Sequence, residues 1–169
     1  MIDLGALNWE RIARPSAMFR VFAVPTVEQI DAIVTRLCND YLYAPDELRD
    51  ENALLALVRG YWGGANIIYE VGEFQGILGF MDILPEHKAS VTLKLWDAER
   101  WGRDFVRESR ALLSLIMDEF RLVRLSTETP DPRVFKMALL AGFVAEGNRE
   151  KDFRWNGDYY GTTMMGIVR

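Results

Sequence analysis

The chain holds one cysteine and one histidine in 169 residues. Cys38 therefore has no internal disulfide partner, and no cysteine-built metal site is available. With His87 as the sole imidazole, histidine-rich metal sites and Cys–His catalysis are not expected, and no Ser-His-Asp signature stands out. Basic residues are not in excess: 20 Lys and Arg stand against 25 Asp and Glu, a net charge of −5. A nucleic-acid partner, which needs a basic face, is not expected. No apolar run approaches the ~20 residues of a membrane-spanning helix, so no membrane partner is expected. The first sixteen residues carry Asp3, Glu10 and Arg11, which do not suit a secretory signal, and a cytoplasmic location follows. Repeats, low-complexity tracts and linkers are also lacking. Apolar residues, at 50%, and aromatic ones, at 12%, supply ample material for a core, so disorder of the whole chain is excluded.

Periodicity gives the element order. Residues 1–17 form a lead-in arm with apolar Leu4, Leu7, Trp9 and Ile12, and residues 18–169 form the domain. The arm is positioned to cover a sheet edge or to reach a partner chain, as in a homodimer or an assembly. Met18–Val24 alternates as a strand. Thr26-Val-Glu-Gln29 is a capping box, followed by Ile30, Ile33, Val34 and Leu37 at helical spacing over 27–39. Pro45 with Asp46 opens a second helix that stops at Gly60. Ala65–Val71, Gly76–Leu84 and Ala89–Trp96 are strands whose connections are too short for crossovers, hence an antiparallel meander. A long helix occupies 101–119, and Leu122–Thr127 is the next strand. Asp131 caps a helix with Pro132 at its first position and Gly142 at its end. Phe143–Phe153 and Tyr159–Val168 pair around Asn156-Gly157, a preferred two-residue hairpin turn. The order β-α-α-β-β-β-α-β-α-β-β predicts one α/β (α+β) domain containing a parallel β-α-β unit.

Three local patterns sharpen this. Leu95-Trp96-Asp97-Ala98-Glu99-Arg100-Trp101-Gly102-Arg103-Asp104-Phe105 reads as a strand, a turn and a glycine-bearing helix start. Asp131-Pro132-Arg133-Val134 opens a helix that closes on Ala141-Gly142-Phe143. Glu146-Gly147-Asn148-Arg149 precedes the hairpin Trp155-Asn156-Gly157-Asp158-Tyr159. In this order and spacing the patterns resemble the GNAT N-acetyltransferase superfamily over roughly residues 18–169. The likeness is greatest to the branch that acetylates N-terminal amines of ribosomal proteins. The resemblance implies a mixed sheet of about seven strands flanked by about four helices. It also implies acetyl transfer from acetyl-CoA, as co-substrate, to a primary amine on a small molecule or peptide, without a metal.

The resemblance assigns the cofactor to Leu95, Trp96, Arg100, Trp101, Gly102, Arg103, Asp104, Phe105 and Asp131. The pyrophosphate would meet the amides that open the long helix, where backbone donors and the helix dipole favour an anion. Pantetheine would run along Leu93–Trp96 in the manner of an added strand. Glu128, past the end of a strand, is the first carboxylate for general base, Asp82 the second, and Tyr159 a proton donor or pocket wall. Each of these residues also has a simpler reading. Arg100, Arg103 and Arg107 suit phosphate contact or a solvated face answering Glu99 and Glu108. Glu128 and Asp82 suit surface carboxylates, and Tyr159 and Tyr160 suit rim packing. Trp62, Trp96, Trp101 and Trp155 suit pocket walls or packing anchors.

The chain also departs from the family pattern. Asp104 stands where a second loop glycine belongs, Val106 where a small residue belongs, and Val134 where a serine belongs. Ala138 takes the position at which some members carry a tyrosine. These departures motivate the alternative of a catalytically degenerate binding or assembly module, such as a phage virion or head-assembly accessory protein.

Overall fold

The computed structural model describes residues 7–39, 46, 50–96 and 102–169. Five helices and seven strands follow one another in these segments: α1 (Trp9–Ala13), β1 (Phe19–Val21), α2 (Val27–Asn39), α3 (Glu51–Gly60), β2 (Ile67–Val71), β3 (Gly76–Leu84), β4 (Lys88–Leu95), α4 (Arg103–Glu119), β5 (Arg124–Thr129), α5 (Pro132–Ala141), β6 (Val144–Trp155) and β7 (Asp158–Val168). The expected order is present, with α1 as a fifth, short helix inside the lead-in. Pro45 and Leu48, expected at the start of the second helix, lie outside the described residues.

Local chemistry explains the ends of the elements. The capping box forms reciprocally: Thr26 N–H donates to Gln29 Oε1 at 2.8 Å and Gln29 N–H to Thr26 Oγ1 at 3.3 Å. The first strand stops at Val21, three residues short of Val24. Phe22 there turns its side chain into the core, and its N–H still donates to Ile68 O at 2.7 Å. Asn156 and Gly157 both take positive φ, 49° and 86°, the turn whose twist matches the flanking strands.

The strands form one sheet in the order β1-β2-β3-β4-β5-β7-β6. Every neighbouring pair is antiparallel except β4 and β5, which α4 joins as a parallel crossover. Helices cover both faces of the first half. On one face, Phe105, Leu112 and Ile116 of α4 pack with Phe19, Tyr69, Phe80 and Leu125. On the other, Ile33 and Leu37 of α2 and Leu54 and Val58 of α3 pack with Ile68 and Ile77. With both faces covered, β2 is buried at every position, which is why Ile67–Val71 lacks apolar–polar alternation.

The lead-in is tied to this core. Leu7 and Ile12 are buried in the same cluster as α4, and the Tyr69 hydroxyl donates to Ile12 O at 2.9 Å. Burial pushes the Tyr61 phenol up to about 12 and raises that of Tyr69 further, because a buried phenolate loses its hydration. A raised phenol stabilises the fold below the ordinary tyrosine range, and that contribution is lost as pH climbs through the folded value. Melting temperature should therefore fall above about pH 10, and Tyr61→Phe should flatten the fall. Tyr69→Phe should cost about 1 kcal/mol at neutral pH by orphaning the Ile12 carbonyl. Urea unfolding and alkaline thermal melts check both.

Candidate active site

The one parallel pairing in the sheet is short. β4 and β5 meet as Lys88 with Arg124, Ala89 with Leu125 and Ser90 with Ser126, and then part. Beyond that point β4 stays on β3 and β5 stays on β7, so the facing edges of two central strands lose their partner. Cavities lie on both faces of this gap. On the α2–α3 face a groove of about 620 Å³ is lined by Ser90, Thr92, Ser126, Glu128, Arg149 and neighbours. On the α4–α5 face a pocket of about 50 Å³ is lined by Leu93, Phe105, Ser109, Val134, Met137 and Ala138, among others. Val91 and Thr127 line both, so the two cavities stand back to back at the gap, which is a window in the hydrogen-bonded ladder.

The inner pocket is apolar except for Ser109 and Thr127. Ser109 is 5% exposed, and its Oγ is the one buried side-chain polar atom without a hydrogen-bond partner among the described residues. An orphaned buried hydroxyl is costly.

A third hollow, of about 580 Å³, opens between α4 and α5 and is lined by Gly102, Arg103, Arg107, Arg110, Lys136 and Leu140. Its charged side chains are all basic. Gly102 stands at the N-cap of α4 and has no side chain to accept from the opening amides of that helix. Asp104 does not fill the hollow. Its side chain is 75% exposed and lies 2.8 Å from Arg107 Nη1. The hydrogen bond that Arg107 donates to Glu108, then the charges of Asp104 and Glu108, hold the Arg107 guanidinium pKa above its ordinary value.

The other predicted residues fall at several places. Glu128 lines the outer groove, its Oε2 2.8 Å from Arg149 Nη1. Asp82 is exposed at φ 51°, in the irregularity where the β3–β4 register shifts, with its N–H donating to Asn66 Oδ1 at 2.7 Å. It does not line the groove. Tyr159 is exposed on the stretch of β7 that runs past β5, opposite Arg154, and does not line it either. Leu95 and Phe105 are core side chains. Trp96 packs on Phe74, beneath the Arg36 guanidinium, and donates to Phe74 O at 2.6 Å. Asp131 caps α5, accepting from Arg133 N–H at 2.8 Å. Arg100 and Trp101 lie outside the described residues.

The groove adds residues to which the sequence reading gave no role. Arg149 reaches Glu128 from β6, across β7. Arg124 and Glu146 form a second ion pair over the same strand, where Gly166 has no side chain to block it: a Cβ there would clash with the Glu146 carboxylate. In the sequence Glu146 and Arg149 stand only as marks of the fold, and the alternation that turns Arg124, Ser126 and Glu128 to one side of β5 is a signal for the rest.

No family model matches the chain, and no curated protein matches its sequence. Solved structures match its shape. RimL, a ribosomal-protein alpha-N acetyltransferase in complex with coenzyme A, superposes with a TM-score of 0.68 at 16% identity, covering 92% of this chain and 97% of that one. The chain has the GNAT fold. A spermidine N-acetyltransferase from Vibrio cholerae, solved with CoA and spermine, gives a TM-score of 0.64 at 18% identity, with coverage of 90% and 96%. The microcin C7 self-immunity acetyltransferase MccE, solved with acetyl-CoA and AMP, gives 0.65 at 14%, with coverage of 91% and 94%. The shared GNAT architecture extends over nearly the whole of each chain.

The β6–β7 hairpin bounds the outer groove and is latched at its tip. Asp46 accepts from the N–H groups of Asn156 and Gly157, both at 3.0 Å, and lies 3.5 Å from Arg154 Nε. Asp46→Ala should speed amide exchange at Asn156 and Gly157 by about ten-fold while leaving β2 and β3 unchanged. Residue-resolved hydrogen exchange measures it.

Proposed function

We propose that this chain is an N-acetyltransferase that moves an acetyl group from acetyl-CoA to a primary amine. The observation that carries the reading is the window: two cavities on opposite faces of the sheet meet at Val91 and Thr127. Such a passage lets two substrates approach one point from opposite sides without sharing an entrance. The CoA-bound structures with this fold support acetyl-CoA as the donor, and we assign it to the α4–α5 side on the chemistry of the lining. The residues there fit it. The uncapped amides after Gly102 suit a diphosphate, Arg103, Arg107 and Lys136 suit the remaining phosphate charge, and the apolar inner pocket suits the pantetheine arm. Ser109 suits a pantetheine amide, which would satisfy its orphaned hydroxyl.

Chemistry then happens at the window. The acceptor reaches it from the outer groove as an ammonium and gives one proton to Glu128, directly or through water. The neutral nitrogen attacks the thioester carbonyl, forming the C–N bond. A backbone N–H on the unpaired edge of β4 stabilises the oxyanion. The C–S bond breaks, and the departing thiolate takes the second proton that the nitrogen loses. The departures at Asp104 and Val106 are compatible with this reading, since Asp104 faces solvent.

Calorimetry with acetyl-CoA tests the assignment. Binding in the micromolar range is expected, and none at millimolar ligand would sink it. Ser109→Ala should stabilise the free protein by about 1 kcal/mol, by deleting an unsatisfied hydroxyl, and should weaken acetyl-CoA by about five-fold. A variant with unchanged affinity would remove Ser109 from the site.

A further inference from the structure

We infer that the acceptor is a free α-amino acid, bound as a zwitterion on the Glu128–Arg149 ion pair. This rests on the reading of the outer groove as the amine's entrance.

The groove is not a surface of one sign. Lys94, Arg124 and Arg149 line it together with Glu128, Glu146 and Asp152. A polyamine entering it would bring cations against three basic side chains, and a polyanion would meet three carboxylates. A molecule that carries both charges close together avoids both penalties.

The Glu128–Arg149 pair sets the spacing. Its charged atoms are 2.8 Å apart, and its side chains are 53% and 49% exposed, so both ions keep a side open to the groove. An α-amino acid holds its ammonium nitrogen and nearer carboxylate oxygen about 3 Å apart, close to hydrogen-bond length. Laid head to tail on the pair, it puts ammonium on Glu128 and carboxylate on Arg149, a closed square of alternating charges. Neither protein ion gives up its present partner, so binding leaves no charge unpaired. Arg149 also offers the planar fork that suits a carboxylate.

The placement is productive. Glu128 follows Thr127, which lines the window, so the nitrogen held by Glu128 sits beside the passage. Met81, Phe153 and Met164 supply an apolar wall in the same groove, which suits an aliphatic side chain. A peptide's N-terminal residue has no α-carboxylate and leaves Arg149 with Glu128 and Asp152 alone.

The test titrates the full chain with L-leucine, L-leucinamide and spermidine, without acetyl-CoA, by NMR. Working below about pH 7 keeps each amine charged. Leucine should bind in the millimolar range, and the other two about ten-fold more weakly. Arg149→Gln should weaken leucine to the level of leucinamide without moving leucinamide, and Arg149→Lys should restore part of the preference. Circular dichroism confirms that both variants fold. Equal binding of leucine and leucinamide, tighter spermidine, or no leucine binding at tens of millimolar overturns the inference.

Thiol release with acetyl-CoA separates the two claims. Leucine binding as expected with no thiol released from any amine overturns the transferase reading and keeps the amino-acid site. Thiol release as fast with leucinamide or spermidine as with leucine keeps the transferase and overturns the amino-acid site.

Discussion

Everything distinctive here follows from a parallel strand pair that stops after three partners. A parallel crossover through α4 forces β4 and β5 side by side, but their neighbours on the far sides pull them in different directions. Sheets twist, and two strands anchored to differently twisting partners separate at the end where they are not tied. Backbone groups buried in a sheet centre must find partners. Parting strands thus leave their facing donors and acceptors without a partner in the ladder. The window and the two facing cavities lie at that gap, and the orphaned hydroxyl of Ser109 lines one of them.

Charge is divided between the two sides. On the α4–α5 side, Arg103, Arg107, Arg110 and Lys136 stand around an uncapped helix start, and the helix dipole adds to their field. Asp104 at that start opposes an anion, yet an acidic side chain in a first helical turn also stabilises the helix. Its exposure and its contact with Arg107 leave its field screened by water. On the opposite side the charges alternate in sign and pair with one another. A chain with a net charge of −5 still builds one strongly basic hollow, because net charge says nothing about where charge is put.

How far the sequence could be read depended on the range of the interaction. Ile33, Val34 and Leu37 recur at helical spacing, and Thr26 with Gln29 or Asp131 with Pro132 mark helix starts through contacts a few residues long. Those features formed as expected, and so did the hairpin at Asn156-Gly157. Asp82 needs more than local pattern: it follows Met81, which lines the groove, so alternation sets it on the opposite face, and the register shift beside it leaves it exposed. Tyr159 was placed correctly on its strand, but β7 outruns β5, so the side chain stands beyond the site. Leu95 and Trp96 were drawn to the cofactor by the motif they belong to, and their side chains pack in the two core clusters.

The order of helices and strands, the caps and turns, and the parallel unit with its glycine-led helix are legible in the residues as they stand along the chain. Each depends on neighbours within one turn or one strand, where bond geometry leaves few choices. Which charges meet is set by the packing of the whole sheet. Glu128 with Arg149 and Arg124 with Glu146 are pairs across β7, formed because β7 inserts between β5 and β6 and because Gly166 leaves room above it. Electrostatic partners are fixed by distance in space. That distance is set by strand order and register, which arise from burying the whole sheet at once and are written in no single segment.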